Sequence, residues 1–439
     1  MPERRSAHLG STVAPGAAIR RLAASGLPDK ASVASAPRVW STLHYVAGAL
    51  LLAAASCTII PTRAPAPEAG LGDARPYGLA VPLLRAWGDE VGQDAVDAII
   101  GSRVAALRRV HASTLQAGLP LQRTMLALSG GGPDGAFGAG LLAGWTERGD
   151  RPRFDIVTGV STGAIIALFA FLGPDYDEAL RDIYTNYSTR DLLTPAILTG
   201  LLRGSALTDN AGFRRLIDKY VDDAVMRRLA DAYADGRLLL VGTTNLDAAR
   251  PVVWNIGAIA ASGHPRARRL VRDVIEASAA IPGAFPPVLV PVEIQGVTYD
   301  EMHVDGGATR QVLLFTPELR MGRIDEALGV DRTLYVIINN RLRRAYSPVA
   351  PRLRPIMATA ISSLIAGAGS GDVIQLYAAA DREGFPLRFI SIPPDFDLEP
   401  AEPFDRAYMR ALYDLGFQTG REGAPWLQIP PGFVVERGG

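Results

Sequence analysis

Three short clusters of residues combine side chains and spacing that could do chemistry. In Gly159-Val160-Ser161-Thr162-Gly163 a serine hydroxyl stands between two glycines. An apolar run over residues 154–158 precedes it and an all-apolar segment over 164–172 follows, the strand–turn–helix setting of a nucleophile elbow. Ser161 is therefore a candidate nucleophile, and a serine hydroxyl needs a base within hydrogen-bond reach. About 30 residues earlier stands Ser129-Gly130-Gly131-Gly132-Pro133-Asp134-Gly135, between a short apolar run and an apolar helix. Its glycines let several backbone N–H groups face one point, and the following helix adds the positive end of its dipole. Such a place suits an anion, either a phosphate or the oxyanion of an acyl-transfer intermediate. The third cluster is Val304-Asp305-Gly306-Gly307, which in isolation reads as a turn.

Two other chemistries compete for these residues. Gly130-x-Gly132-x-x-Gly135 also has the spacing of a dinucleotide fingerprint, for which Asp155 falls near the distance expected of the ribose-binding acid. Asp155 opens its strand rather than closing it, which counts against that reading. For Ser161 the usual base is histidine, and the chain has five: His8, His44, His111, His264 and His303. A serine–acid–histidine order leaves only His264 and His303. His264 sits in a turn, and His303 lies two residues before Asp305, on the same face of a strand. The histidines permit a triad without favouring one.

Taken together, the Gly-rich loop, the Gly-x-Ser-x-Gly elbow and the Asp-Gly-Gly turn resemble the patatin-like phospholipases. The segments Thr244-Asn245-Leu246-Asp247 and Ala277-Ser278-Ala279-Ala280-Ile281-Pro282-Gly283-Ala284-Phe285-Pro286-Pro287 are similar to further stretches of that family. The resemblance covers about residues 123–320. It implies a Ser161–Asp305 dyad in place of a triad, and an oxyanion hole built from the loop glycines Gly130, Gly131, Gly132 and Gly135. Gly159 and Gly163 would shape the elbow, and Gly306 and Gly307 the turn after the base. The implied reaction is hydrolysis of fatty-acyl esters, phospholipids among them, through an acyl-serine, with no cofactor and no metal. One departure stands out: the family usually has Arg or Lys where this chain has Asp134. An acid there would repel a developing oxyanion unless its side chain points away. That departure keeps a non-catalytic lipid-binding role open beside the esterase readings.

The rest of the chain must position these residues. Apolar runs near 125–129, 154–158, 238–243, 252–256, 333–338 and 388–392 alternate with helical periodicity. Strands alternating with helices predict an α/β fold, a mostly parallel central sheet flanked by helices. Residues 123–320 form the core and 321–439 complete the same domain; 79–122 are expected as a helical extension and 58–78 as a Pro-rich tether. Net charge is zero over 439 residues, with 45 basic and 45 acidic side chains, which argues against a nucleic-acid binder. Residues 1–57 read as a leader. From Val39 to Thr62 there is no charged side chain, and the apolar run 46–55 behind Arg38 ends Ala54-Ala55-Ser56-Cys57. That ending resembles a bacterial lipobox, which implies cleavage and lipidation at Cys57 and attachment to a membrane of the cell envelope. An uncleaved anchor or a core helix are the other readings of this run.

Overall fold

The computed structural model describes residues 63–90, 93–195, 208–313, 329–342 and 348–430. The chain divides into two units, Met1–Thr58 and Ile59–Gly439, and all described residues belong to the second. Cys57 and the leader lie outside the described residues.

In chain order the elements are β1 (Arg75–Pro76), β2 (Arg85–Trp87), α1 (Gln93–Val110), α2 (Ala112–Gln116), β3 (Leu121–Leu128), α3 (Gly135–Arg148), β4 (Ile156–Val160) and α4 (Thr162–Leu172). Then come α5 (Asp177–Asn186), α6 (Thr189–Leu192), a short pair β5 (Thr194–Pro195) and β6 (Thr208–Asp209), α7 (Ala211–Tyr220) and α8 (Asp223–Ala234). The remainder is β7 (Leu238–Asn245), β8 (Arg250–Asn255), α9 (Ile256–Ala261), α10 (Ala267–Ser278), β9 (Val288–Ile294), β10 (Val297–Asp305), β11 (Val330–Ile338), α11 (Leu353–Glu383), β12 (Leu387–Ser391) and α12 (Arg406–Glu422).

The main sheet runs β1-β9-β10-β7-β4-β3-β11-β12, with β8 on β7 and β2 on β8. Strands β7, β4, β3, β11 and β12 are parallel. Every other pairing in this sheet is antiparallel, so the parallel order expected from the sequence holds for half of it. Strand pleating sends Leu126 and Leu128 of β3 to one face and Met125 and Ala127 to the other. The first face carries the larger core, to which α3, α4, α10 and α12 contribute; the second packs against Leu107 of α1 and Val373, Leu376 and Ala380 of α11. Helix α4 is apolar all round because it is buried nearly all round. Helices α3 and α12 approach backbone to backbone. A β-carbon at Gly144 would overlap the Phe417 carbonyl, and one at Gly416 the Phe137 carbonyl.

Residues 63–87 differ from the tether and helix expected there. Asp300 N–H donates to Ala64 O (2.7 Å), β1 pairs with β9, and β2 pairs with β8. Tyr77, Leu79 and Leu84 are buried, and Arg85 pairs with buried Glu301. Pro and Gly at this density exclude a helix, yet they suit a segment laid along a sheet edge. Among the described residues the first α-helix is Gln93–Val110.

Candidate active site

Strands β4, β8 and β10 share the two edges of β7, and this arrangement builds the site. β8 pairs with residues 240–245 of β7, so β4 on 238–242 and β10 on 243–245 must lie along the opposite edge. They run toward each other: Val160 stands beside Gly242 and Asp305 beside Thr243. Ser161 and Asp305 thus emerge where two strand ends meet.

Ser161 takes φ 56° and ψ −128°, a backbone region that costs a non-glycine residue about 1–3 kcal/mol and is held by its surroundings. Its N–H donates to Ser278 Oγ (2.9 Å), and the Ser278 hydroxyl donates to Gly242 O (2.7 Å). Gly163 fits because its α-carbon lies against the Leu128 and Ser129 carbonyls, and Gly159 because it lies against the Gly163 carbonyl. The turn therefore brings the start of α4 up to the end of β3, where the Gly-rich loop begins.

Asp305 is 5% exposed, and the Ser161 hydroxyl lies near enough to pull its pKa down. Burial pushes its carboxyl up to about 7, against the opposing pull of the Ser161 hydroxyl and the Gly307 N–H. The Gly307 N–H donates to Oδ1 at 2.7 Å, and Gly306 packs flat on the Gly242 carbonyl. The Asp-Gly-Gly turn thus orients the carboxylate with its own backbone. A carboxylate poised near neutrality beside a serine hydroxyl can accept that proton.

The four loop glycines do different jobs. Gly130 N–H is committed to Gln311 O (3.1 Å), and Gly135 N–H is taken by the Gly132 and Pro133 carbonyls. Neither is a free oxyanion donor, contrary to the expectation for these two positions. A short loop folded against its own strand and helix uses those N–H groups to hold its shape. Among the described residues no backbone acceptor outside the short helical turn takes the N–H of Gly131 or of Gly132, which leaves these two as the candidate donors of the loop. Gly132 borders the same cleft as Ser161. Asp134 is engaged elsewhere: Tyr408 of α12 donates to its Oδ1 (2.6 Å), which turns the carboxylate toward that helix.

Several positioning residues escaped the sequence reading. Asn339 N–H donates to Ser129 Oγ (2.8 Å) and its Nδ2 donates to Ser129 O (2.9 Å); Asn340 Nδ2 donates to Gly130 O (3.1 Å). Gln311 Nε2 donates to Gly307 O (3.1 Å), so one residue ties the Gly-rich loop to the Asp305 turn. Asp372 of α11 accepts the N–H groups of Gln311 (2.6 Å) and Val312 (3.0 Å). The available signal was an Asn-Asn pair at the carboxyl end of an apolar parallel strand, where sites of such sheets form.

The histidines serve elsewhere. Fully buried His303 binds Thr243 Oγ1 through Nδ1 (3.0 Å) and Glu301 through Nε2 (3.1 Å), and burial pushes its pKa down. His264 Nδ1 accepts the Arg266 N–H in the turn before α10. Among the described residues neither forms a hydrogen bond with Ser161 or Asp305. Asp155 also falls away from the loop. Its carboxylate accepts the Thr124 N–H (2.9 Å) near the start of β3, whereas the loop follows the end of β3. An acid there is out of place for a dinucleotide ribose.

An open cleft with about 510 Å³ of empty space leads to Ser161, walled by Ile165, Leu192, Phe213, Phe285, Phe404 and Met409. Residues 126–315, which include the loop, the elbow and Asp305, match the family model of patatin-like phospholipases. The chain carries a patatin-like phospholipase domain. Among solved structures, VipD from Legionella pneumophila is similar at 12% identity, over 69% of this chain and 67% of that one, with a TM-score of 0.29. Human GIVD cytosolic phospholipase A2 is similar at 13% identity, over 74% of this chain and 56% of that one, with a TM-score of 0.29. ExoU of Pseudomonas aeruginosa, in complex with SpcU, is similar at 14% identity over 69% and 52%, with a TM-score of 0.26. The chain thus spans roughly half to two thirds of the length of these proteins. No match is found among curated protein sequences.

Proposed function

We propose that the patatin-like domain is a serine acyl hydrolase of lipid esters, with Ser161 as nucleophile and Asp305 as its base. The observation that carries this reading is the meeting of Ser161 and Asp305 at two facing strand ends, with the Asp305 carboxyl buried and its pKa raised to about 7. Asp305 takes the hydroxyl proton as Ser161 Oγ attacks the ester carbonyl, forming the new C–O bond and placing negative charge on the carbonyl oxygen. The N–H groups of Gly131 and Gly132 face that oxygen, and one such donor is worth about 3 kcal/mol. The start of α4 adds its dipole. Collapse expels the alcohol, which leaves with the proton from Asp305, and an acyl-serine remains. Water then attacks as Asp305 takes its proton; the acyl bond to Ser161 breaks, Ser161 recovers the proton, and the fatty acid departs.

The apolar walls of the cleft support a lipid acyl group over a polar one. The test is release of free fatty acid from phospholipid vesicles by purified protein. Wild type is expected to release it and Ser161→Ala is not; equal release by both would remove Ser161 from the mechanism.

We infer from the sequence that the enzyme works at a membrane of a bacterial envelope, attached through lipidated Cys57. Acyl chains contribute about 0.8 kcal/mol per buried CH₂, so several on one cysteine would hold the domain at its substrate surface. Mass spectrometry of Cys57 in protein from the native host tests this: a lipid-modified N-terminal cysteine supports it, and an intact 1–56 segment overturns it.

A further inference from the structure

The cleft at Ser161 has an apolar neighbour. Beside it lies a second pocket, partly open to solvent and lined by side chains that include Leu168, Phe169, Tyr220, Val221 and Ile275. Four side chains border both spaces: Ile165 of α4, Ile183 of α5, and Phe213 and Leu216 of α7. They form the wall between them. We propose that this wall sets the acyl-chain length the enzyme accepts, an inference that rests on the acyl-hydrolase reading above. A chain attached to Ser161 fills the first cavity and stops against Phe213 and Leu216. A longer chain must push that wall aside.

The wall is held too firmly to yield at no cost. Helix α7 is clamped at its start by the buried carboxylate of Glu276, which accepts from Asn210 Nδ2 (2.8 Å) and from both Nε and Nη2 of Arg214 (3.1 and 2.6 Å). These two residues bracket Gly212 and Phe213. Gly212 lies flat against the Asp191 carbonyl, which leaves α7 no room to move inward. The Phe213 ring also rests against Phe285, with ring centroids 6.0 Å apart. Interiors packed this closely resist added methylenes. Trimming the wall, by contrast, joins two existing apolar spaces into one longer channel.

The test compares kcat/KM for p-nitrophenyl octanoate and p-nitrophenyl hexadecanoate in mixed detergent micelles, for wild type, Phe213→Ala and Leu216→Ala. The expected result is a rise in the hexadecanoate-to-octanoate ratio of about tenfold or more in both variants, the scale of hydrophobic-pocket discrimination. Phe213→Leu, a milder cut, replaces Phe213→Ala should that protein not fold, and thermal unfolding checks each variant. An unmoved ratio in folded, active variants overturns the inference and leaves the acyl-hydrolase reading standing. Failure of wild type to cleave either ester overturns both.

Discussion

Asp305 combines two demands on one side chain. As the proposed base it must be ionised, yet as a buried group it is held near 7 instead of its ordinary 3.8. The consequence for activity is a fall in kcat/KM as pH drops below about 7, through a single protonation. The consequence for stability has the opposite sense. Between 3.8 and about 7 the folded protein binds a proton that the unfolded chain has released, so stability from this group is full at low pH and lost as pH rises through the folded value. The shift corresponds to about 4 kcal/mol at one proton. Asp305→Asn should therefore be nearly inactive, and its stability relative to wild type should grow by about 4 kcal/mol between pH 4 and pH 8 in urea titrations. A constant difference across that range would mean that Asp305 is not buried as a strained acid. Ser161 could be picked from the sequence because the elbow is local chemistry, written in five consecutive residues; Asp305, whose motif alone reads as a turn, followed only from the resemblance to a family. Which loop N–H groups face an oxyanion could not be picked. Glycines mark where the backbone can bend, but Gly130 and Gly135 spend their donors on Gln311, Gly132 and Pro133.

At the scale of elements, the site is a junction of strand ends locked from behind. β4 and β10 meet on one edge of β7, and the segment after the Asp-Gly-Gly turn is pinned by Asp372 of α11. Asp372 stands well after Asp305 in the chain and outside the 126–315 family match, so no motif could point to it. Its carboxylate satisfies two buried N–H groups and thereby places Gln311 between the Gly-rich loop and the base. Losing that anchor shifts catalytic groups without removing any of them, and small misplacements cost about a hundredfold in rate. Asp372→Ala should lower kcat about ten- to a hundredfold with KM little changed, while Asp372→Asn, which keeps an acceptor, retains most of it. Equal activity of Asp372→Ala and wild type in steady-state assays would show that the anchor does not matter. The antiparallel half of the sheet was equally hidden. β9 and β10 lie beyond the alternating strand–helix pattern, and the Pro-rich stretch before them reads as a tether until it is seen paired along the sheet.

For the whole molecule, the C-terminal segment is part of the catalytic fold. β11 lies beside β3, and α12 packs backbone to backbone on α3, the helix that follows the Gly-rich loop. This contact depends on glycines facing carbonyls, at Gly140 and Gly144 on one helix and at Gly416 and Gly420 on the other. A methyl group there has nowhere to go, since the obstacle is backbone. Gly416→Ala should destabilise the fold by about 3 kcal/mol, at the upper end for overpacking, and should lower activity only through loss of folded protein. The measurement is the unfolding midpoint together with activity per folded molecule. An unchanged midpoint would contradict the close helix packing. The same helix supplies Tyr408, whose hydroxyl donates to Asp134 Oδ1, so the acid in the Gly-rich loop is partnered by an element beyond the motif-bearing region.

The central claim is that Asp305 activates Ser161 without help from histidine. It is tested most directly by the pH dependence of irreversible labelling with a fluorophosphonate, a reagent that needs an activated serine. The account predicts one label at Ser161, a rate that rises through a single ionisation near pH 7, and loss of labelling in Asp305→Asn. It also predicts that His264→Ala labels as wild type does. Labelling that persists in Asp305→Asn, or that disappears in a folded His264→Ala or His303→Asn variant, would contradict it.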